Sequence, residues 1–166
     1  TARCTCQTWR LIMFNYRGSV SGLYDQNTFD RQFLKDIARA QSSLVIESPF
    51  IRLSRVEQLI PVIIKLRRRG VSVIINTRSP EEHDYIYEAQ ATDAITMLQN
   101  LGVTVLFTVK HHRKIAVIDR EVFYEGSLNV LSYYDSCEIM RRTVSPSEAD
   151  VLLRFIELHK YLTKVS

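Results

Sequence analysis

Hydrophobic and polar positions follow two alternating patterns along most of the chain, one typical of helices and one of short buried strands. Apolar residues first fall at helical spacing, at Phe29, Phe33, Ile37 and Ala40, and a short apolar run follows at 44–46. The same order of a helix followed by a strand then occurs twice more. Further helices are predicted at 54–70 and 85–101, and further strands at 71–77 and 103–108. Strand alternating with helix is the pattern of an α/β fold.

The second half of the chain is predicted to be richer in strands. Strands are predicted at 114–118, 122–124 and 137–143, with a tight turn at 119–121 between the first two. A capping box over residues 145–148, with Pro146 at the first helical position, predicts a closing helix. Pro61 lies inside the 54–70 helix and is expected to kink it or to separate a short first turn.

We expect residues 1–166 to form one domain with a layered fold, in which helices flank a mixed, mostly parallel sheet. No internal repeat, linker or low-complexity tract divides the chain. Residues 1–26 form a poorly defined N-terminal segment in which 11–16 has the character of a strand. Because position 1 is Thr, we expect the chain to be a processed or excised piece of a longer polypeptide.

Composition sets loose limits on compartment and partners. The chain has a formal net charge of +4 and a pI of about 9.0, which permits a polyanionic partner without requiring one. Its three cysteines, Cys4, Cys6 and Cys137, are too few for a disulfide framework, so we expect a reducing, cytoplasmic location. Cys4 and Cys6 are either half of a metal site or incidental residues. No second pair of Cys or His residues follows at zinc-finger spacing, so we predict no metal. No apolar run approaches the length of a membrane span, and we expect no membrane association.

The residues that carry chemistry are concentrated between 112 and 129. The sequence reads His112-x-Lys114, four residues, Asp119, six residues, and then Gly126-Ser127-x-Asn129. In an extended strand, side chains two residues apart share a face at a spacing of about 6.6 Å. His112 and Lys114 are therefore expected to project to the same side, whereas Asp119 has the opposite parity. This parity favours an orienting or structural role for Asp119.

The spacing resembles the signature of the phospholipase D superfamily, the HKD motif with its following Gly-Ser-x-Asn. The stretch from Glu125 to Arg142 is also similar to phospholipase D-like nuclease domains appended to bacterial helicase-type proteins. The resemblance implies a phosphodiesterase that needs no metal or other cofactor, in which His112 is the nucleophile. It also implies that Lys114, Ser127 and Asn129 hold the phosphate oxygens, and that Glu138 orients the imidazole of His112. His111 and Arg113 are candidates for substrate contacts. His111 has the wrong parity to share the face of His112. If it does not contact the substrate, we expect it to lie behind the site or to be solvent-exposed.

Enzymes of this superfamily use two HKD motifs around one phosphate, and this chain has one. The resemblance therefore implies a homodimer that forms through the HKD face, with His112 of one copy as nucleophile and His112 of the other as acid. It also leaves room for a fused helicase domain in the full-length protein.

Three functions remain open at this stage. The first is an endonuclease that cleaves nucleic acid, with DNA favoured over RNA. The basic residues at 110–114, the single motif in a small chain and the lack of a membrane-length apolar run support a nucleic-acid substrate. Tyr133 and Tyr134 could then stack on bases or be half-buried aromatic residues. The second is a lipid phosphodiesterase or phosphatidyl transferase, which uses the same motif chemistry. The third is a non-catalytic nucleic-acid-binding or dimerisation module of a helicase-type protein.

Overall fold

A computed structural model describes residues 14–16, 19–132 and 136–162. One sheet with helices on both faces makes up this part of the chain. The strands are β1 (Phe14–Tyr16), β2 (Ser19–Tyr24), β3 (Ser43–Glu47), β4 (Ser72–Thr77), β5 (Thr104–Phe107), β6 (Ile115–Ile118), β7 (Val122–Gly126) and β8 (Met140–Val144). The α-helices are α1 (Phe29–Arg39), α2 (Leu53–Arg68), α3 (Tyr85–Asn100) and α4 (Pro146–Phe155), and short 3₁₀ turns cover Pro80–Glu82 and Leu158–Tyr161.

The strand order in the sheet is β1-β2-β8-β7-β6-β3-β4-β5. The α/β class and the mixed sheet are confirmed, but the prediction that most of the sheet is parallel is wrong. Only β3 with β4 and β4 with β5 are parallel among the described strands, and the other five pairings are antiparallel. Parallel neighbours need a crossover helix, whereas the connection between β6 and β7 is a tight turn that permits only antiparallel pairing.

Alternating side chains of the central strands supply two separate cores. Leu44 and Ile46 of β3 pack in the larger core with α1, α2 and α3. Val45, which lies between them, packs with α4 and the segment after it on the opposite face. The strand is buried along its whole length, as expected for a sheet covered on both faces.

Several elements differ in detail from the sequence prediction. Strand β2 was not predicted, yet it pairs with β8 over five residue pairs. Helix α2 runs without a break across Pro61, so no separate first turn forms. Ser145 accepts a hydrogen bond from the Glu148 N–H at 3.4 Å, with Pro146 at the first turn, which confirms the serine half of the predicted capping box. The Ser145 N–H donates to the Glu121 carbonyl at 2.8 Å, in place of the Glu148 side chain of a full box. Cys4, Cys6, Tyr133 and Tyr134 lie outside the described residues.

The directions of the strands bring several loops to one edge of the sheet. The carboxyl ends of β3, β4 and β7 and the amino ends of β6 and β8 meet there, because β6 and β8 run antiparallel to their neighbours. We call this the upper edge. Residues that follow β7 or precede β6 and β8 therefore come together, although they are far apart in the sequence.

Candidate active site

His112 and Lys114 lie at the upper edge, in the extended segment that leads into β6. The strand begins at Ile115, one residue later than predicted. The Lys114 ammonium nitrogen lies 3.3 Å from His112 Nδ1 and donates to the His112 carbonyl oxygen at 2.9 Å. The two side chains thus reach the same point, as the parity argument predicted. The pKa of Lys114 is lowered, mainly by burial. The negative charge of Glu138 opposes this lowering, and the positive charge of Arg78 adds to it.

Ser127 and Glu138 form a second part of the site, across the β7–β8 pair. The Ser127 hydroxyl donates to Glu138 Oε2, and the Ser136 hydroxyl donates to Glu138 Oε1 at 2.8 Å. The Ile139 N–H donates to the Ser127 oxygen at 3.1 Å, and the Ser127 N–H donates to the Ile139 carbonyl at 2.9 Å. Glu138 lies near Lys114, and its negative charge offsets part of the lowering of the Lys114 pKa. Its carboxylate is therefore held by serine hydroxyls beside the His112–Lys114 pair.

Gly126 allows this close approach of β7 to β8. A Cβ built on Gly126 would collide with the Ile139 carbonyl oxygen and would lie 2.9 Å from Met140 Cα. A side chain at this position would push apart the strands that carry Ser127 and Glu138. The glycine of the motif is thus needed for strand proximity.

Asn129 lies just after β7, half-buried, and its chain neighbours Leu128 and Val130 are buried in the larger core. Its side-chain oxygen is buried and has no hydrogen-bond partner within the part of the chain that the structure describes. A buried oxygen without a donor is costly, so such an atom is a candidate for ligand contact.

Arg113 points away from His112 and Lys114, because it is the residue between them. Its guanidinium donates to both oxygens of Glu47, at 2.6 and 2.8 Å. Glu47, the last residue of β3, is fully buried and also accepts a hydrogen bond from the Asn76 side chain at 2.8 Å. Through Glu47, Arg113 fastens the motif segment to β3 and β4. A substrate contact by Arg113 stays a prediction.

His111 is buried, with 3% of its surface exposed, so the solvent-exposed alternative for this residue is wrong. Burial lowers the pKa of its imidazole, and the nearby cations lower it further while Glu47 raises it. Its carbonyl oxygen accepts a hydrogen bond from Arg78 Nε at 2.7 Å. Arg78, directly after β4, thus holds the backbone next to His112.

Asp119 lies at the far end of β6, at the opposite edge of the sheet from His112. Its carboxylate accepts hydrogen bonds from the backbone N–H groups of Gln41, Ser42 and Ser43, at distances from 2.7 to 3.1 Å. Burial alone would raise the pKa of Asp119, but these hydrogen bonds outweigh it and the pKa is lowered. The structure does not bring Asp119 together with the other motif residues, and its contacts fix the start of β3.

Two depressions flank these residues at the upper edge. One, of about 470 Å³, is lined by His112, Lys114, Gly126, Ile139 and Arg141 among others. The other, of about 440 Å³, is lined by Asn129 and Glu138 together with residues that follow β3 and β4 and that begin α3. No helix in the described part of the chain is long and apolar enough to cross a membrane.

Residues 33–154 match the family model described as the cardiolipin synthase, PLD-like domain. The match covers most of the chain, including every motif residue named above. The chain belongs to the phospholipase D superfamily. Members of this superfamily are phosphodiesterase-type enzymes. No curated protein matches the chain in sequence.

Solved structures show the same phospholipase D fold. The phospholipase D family member Nuc from Salmonella typhimurium is 15% identical, with a TM-score of 0.69 over 82% of this chain and 91% of that one. NucT from Helicobacter pylori is 17% identical, with a TM-score of 0.67 over 84% of this chain and 94% of that one. Phosphatidylserine synthase from Haemophilus influenzae is 13% identical, with a TM-score of 0.61 over 87% of this chain but 39% of that one. The superfamily fold predicted from the motif is therefore confirmed.

Sequence reasoning missed Glu47, Asn76 and Arg78 as residues that build the site. Each of them lies at or just after the carboxyl end of a parallel strand, where α/β proteins commonly place binding residues. A polar residue that ends a buried apolar strand was the available signal for all three.

Proposed function

We propose that the chain is a metal-independent phosphodiesterase that cleaves nucleic acid, with DNA favoured, through a covalent intermediate on His112. The observation that carries this proposal is the convergence of His112, Lys114, Ser127 and Glu138 at the upper edge of a phospholipase D fold. His112 is exposed there and accessible to a large substrate.

The proposed reaction has two displacements. The lone pair of a His112 ring nitrogen forms a bond to phosphorus while the bond from phosphorus to the leaving oxygen breaks. The leaving oxygen takes a proton from the imidazolium of His112 in a second copy of the chain. Water then attacks phosphorus and gives its proton to that second imidazole, and the phosphorus–nitrogen bond breaks to restore the first His112. A single motif thus requires a homodimer, with the site on the two-fold axis.

The neighbouring side chains would stabilise charge and orient the rings. The Lys114 ammonium, 3.3 Å from the imidazole, would hold the non-bridging phosphate oxygens with Asn129. Ser127 and Glu138 are joined by a hydrogen bond, so a proton on the serine hydroxyl is already directed at the carboxylate. Glu138 would orient and polarise an imidazole in the assembled dimer, as a carboxylate does beside a catalytic histidine.

Charge and size favour nucleic acid as the substrate. Exposed or half-buried cations lie at the upper edge beside the motif and would follow a phosphate backbone; they are Arg52, Arg78, Lys114 and Arg141. The chain also aligns with more than nine-tenths of Nuc and NucT but with 39% of the phosphatidylserine synthase. TrmBL2, an archaeal chromatin protein with a novel mode of DNA binding, shares the fold at a TM-score of 0.55 and 14% identity, over 86% of this chain and 54% of that one.

Cleavage of labelled single-stranded and double-stranded DNA in excess EDTA tests the proposal. The parent chain is expected to cleave, the His112→Asn variant to lose activity by about a thousandfold or more, and Lys35→Met, an exposed lysine variant on α1, to match the parent. When the substrate carries a labelled phosphate, the label that becomes attached to the parent chain should be stable in base and released by acid, as expected for a phosphohistidine. Equal cleavage by parent and His112→Asn would refute the assignment of the nucleophile.

A lipid phosphodiesterase or phosphatidyl transferase is the second candidate. Two apolar side chains, Leu23 and Ile139, are 36% and 54% exposed and line the same depression as His112. The matched family model also carries the description of a cardiolipin synthase. Release of soluble headgroup from phosphatidylglycerol vesicles, with no cleavage of DNA or RNA, would favour this candidate. Oligonucleotide binding without cleavage of any phosphodiester would favour a non-catalytic module.

A further inference from the structure

The depression of about 440 Å³ beside the motif has no part in the proposed reaction beyond its shared residues Asn129 and Glu138. Its volume lies in the range of small-molecule sites. Its other walls come from the segments after β3 and β4 and from the start of α3. The residues of interest there are Phe50, Arg52, Arg78, His83 and Tyr87.

Aromatic rings and arginine planes are paired within this depression. The Arg78 guanidinium carbon lies 5.1 Å from the centre of the Phe50 ring, and the Phe50 and His83 ring centres are 5.4 Å apart. The Arg52 guanidinium carbon lies 5.2 Å from the centre of the Tyr87 ring, and the Arg52 Nη2–H donates a hydrogen bond to the Tyr87 hydroxyl at 2.5 Å. Flat aromatic and guanidinium surfaces are those on which proteins stack unpaired bases.

Two buried polar atoms in the walls of this depression lack a hydrogen-bond partner among the described residues. His83 Nε2 and Asn129 Oδ1 are both buried and make no hydrogen bond to any residue that the structure describes. Burial lowers the pKa of His83, and the charge of Arg78 lowers it further, which favours the neutral imidazole. A planar ligand with donors and acceptors on its rim would satisfy both atoms.

The acidic side chains of the depression are engaged by the protein itself. Glu82 accepts a hydrogen bond from the Lys110 N–H at 2.9 Å, and Asp84 accepts one from the Tyr87 N–H at 3.1 Å. Glu138 accepts from the hydroxyls of Ser127 and Ser136. Each of these carboxylates thus accepts at least one hydrogen bond from the protein itself, and the rings of Phe50, His83 and Tyr87 line the same walls.

We propose that this depression binds one unpaired nucleobase next to the scissile phosphate, so that single-stranded nucleic acid is the preferred substrate. The inference rests on the proposed function and adds a substrate class to it. In a duplex, both faces of a base are stacked and its edge is paired, so a base must leave the helix to enter such a site. A lipid headgroup offers no flat ring to match the aromatic faces.

Three labelled substrates of equal length test this inference in EDTA. They are a single-stranded oligonucleotide, its duplex, and a base-free phosphodiester oligomer built from abasic units. The parent is expected to favour the single strand over the duplex by about tenfold or more in kcat/KM. It is expected to cleave the abasic oligomer with a KM about tenfold higher, which corresponds to the loss of one base-stacking contact. These measurements need no variant.

Variants at the aromatic faces provide the second measurement. Phe50→Leu and Tyr87→Leu keep apolar volume but remove the ring, and we expect each to raise KM for the single strand by about tenfold. Cleavage of the abasic oligomer should remain within about twofold of the parent. Phe155→Leu, an exposed aromatic substitution on α4 that lines a different part of the surface, is the matched control and should change neither substrate.

The outcomes separate this inference from the proposed function. If no phosphodiester is cleaved, or if His112→Asn cleaves as the parent does, the proposed function fails. If cleavage depends on His112 but the duplex and single strand are cut equally, the base-binding inference is overturned. The inference is also overturned if Phe50→Leu impairs cleavage of the single strand and of the abasic oligomer equally. A Phe50→Leu variant that is impaired only in hydrolysis of phosphatidylglycerol would overturn it too, because that result would indicate a lipid-headgroup site.

Discussion

Glu47 shows how strongly one buried carboxylate can depend on its neighbours. It is fully buried at the end of β3, and its two oxygens receive hydrogen bonds from Arg113 and Asn76. An ionised group in such a place is tolerated only when it is paired and hydrogen-bonded. Because Arg113 separates His112 from Lys114, the same contact ties the proposed catalytic segment to the centre of the sheet.

Removing Arg113 is therefore expected to destabilise the fold. The Arg113→Leu variant leaves the Glu47 carboxylate buried without its cation, which should lower the free energy of unfolding by about 3 kcal/mol. Urea unfolding measures the loss, and Arg154→Leu is the control, since the Arg154–Asp150 pair lies on the surface. That control should lose about 0.5 kcal/mol or less.

A double variant separates the charge from the packing at this position. Adding Glu47→Gln to Arg113→Leu removes the buried charge and should recover part of the lost stability. An Arg113→Leu loss no greater than that of Arg154→Leu, or no recovery in the double variant, would show that the Glu47 charge is tolerated without its partner.

Asp119 gives the fold a dependence on acid pH. Its folded-state pKa lies below the ordinary value of 3.8, because backbone N–H groups bind the carboxylate. A lowered pKa means that the stabilisation is fully present above about pH 5 and is lost as the pH falls through the folded-state pKa. Asp119→Asn should therefore cost about 1–2 kcal/mol at pH 7, and the difference from the parent should shrink below pH 4. Unfolding curves from pH 7 to pH 3 check this, and a difference that does not change with pH would contradict it.

At the scale of elements, helix α2 carries a proline that its surroundings tolerate. Pro61 lies in the middle of α2 and has no N–H for the helical hydrogen bond, yet the helix continues to Arg68. Burial of Val56, Leu59, Ile63 and Leu66 in the larger core holds the helix together on both sides of the proline. Tertiary packing here outweighs the local preference to break.

Replacing this proline should stabilise the protein. Pro61→Ala restores a helical N–H at an exposed position and is expected to raise the free energy of unfolding by about 1 kcal/mol. Pro146→Ala is the matched comparison, because Pro146 is at the first turn of α4, where proline is favourable. It should leave stability unchanged or lower it slightly. Thermal unfolding of both variants checks the contrast, and a Pro61→Ala variant no more stable than the parent would refute the prediction.

At the scale of the whole molecule, the proposed reaction requires two copies of the chain. His112 is exposed at the upper edge, beside the half-exposed apolar residues Leu23 and Ile139. A second copy placed on this edge would bring a second imidazole to the same phosphate. Neither copy alone would hold both the nucleophile and the acid.

Mixing subunits tests this requirement. If the proposed DNA cleavage occurs, an excess of the His112→Asn chain should capture parent chains in mixed dimers and lower the cleavage of DNA by a fixed amount of parent chain toward zero. The same excess of Lys35→Met, which retains His112, should raise total activity instead. Parent activity that does not respond to excess His112→Asn, under conditions where subunits exchange, would show that one chain is sufficient.

The sequence by itself determined the superfamily, the α/β class and most of the helices and central strands. These features depend on local spacing: the HKD motif with Gly-Ser-x-Asn, apolar periodicity, and the capping box before α4 are all visible along the chain. The pairing of His112 with Lys114 was predictable for the same reason, because two residues separated by one position share a side in extended backbone.

Only the tertiary structure decided how the sheet is ordered and which distant residues complete the site. Strand β2, the antiparallel majority, and the meeting of Glu47 with Arg113 depend on contacts between segments that are tens of residues apart. The separation of Asp119 from His112 follows from the length of β6, which carries the two residues to opposite edges of the sheet. Hydrophobic periodicity records which face of an element is buried, but it does not record the neighbour against which that face is buried.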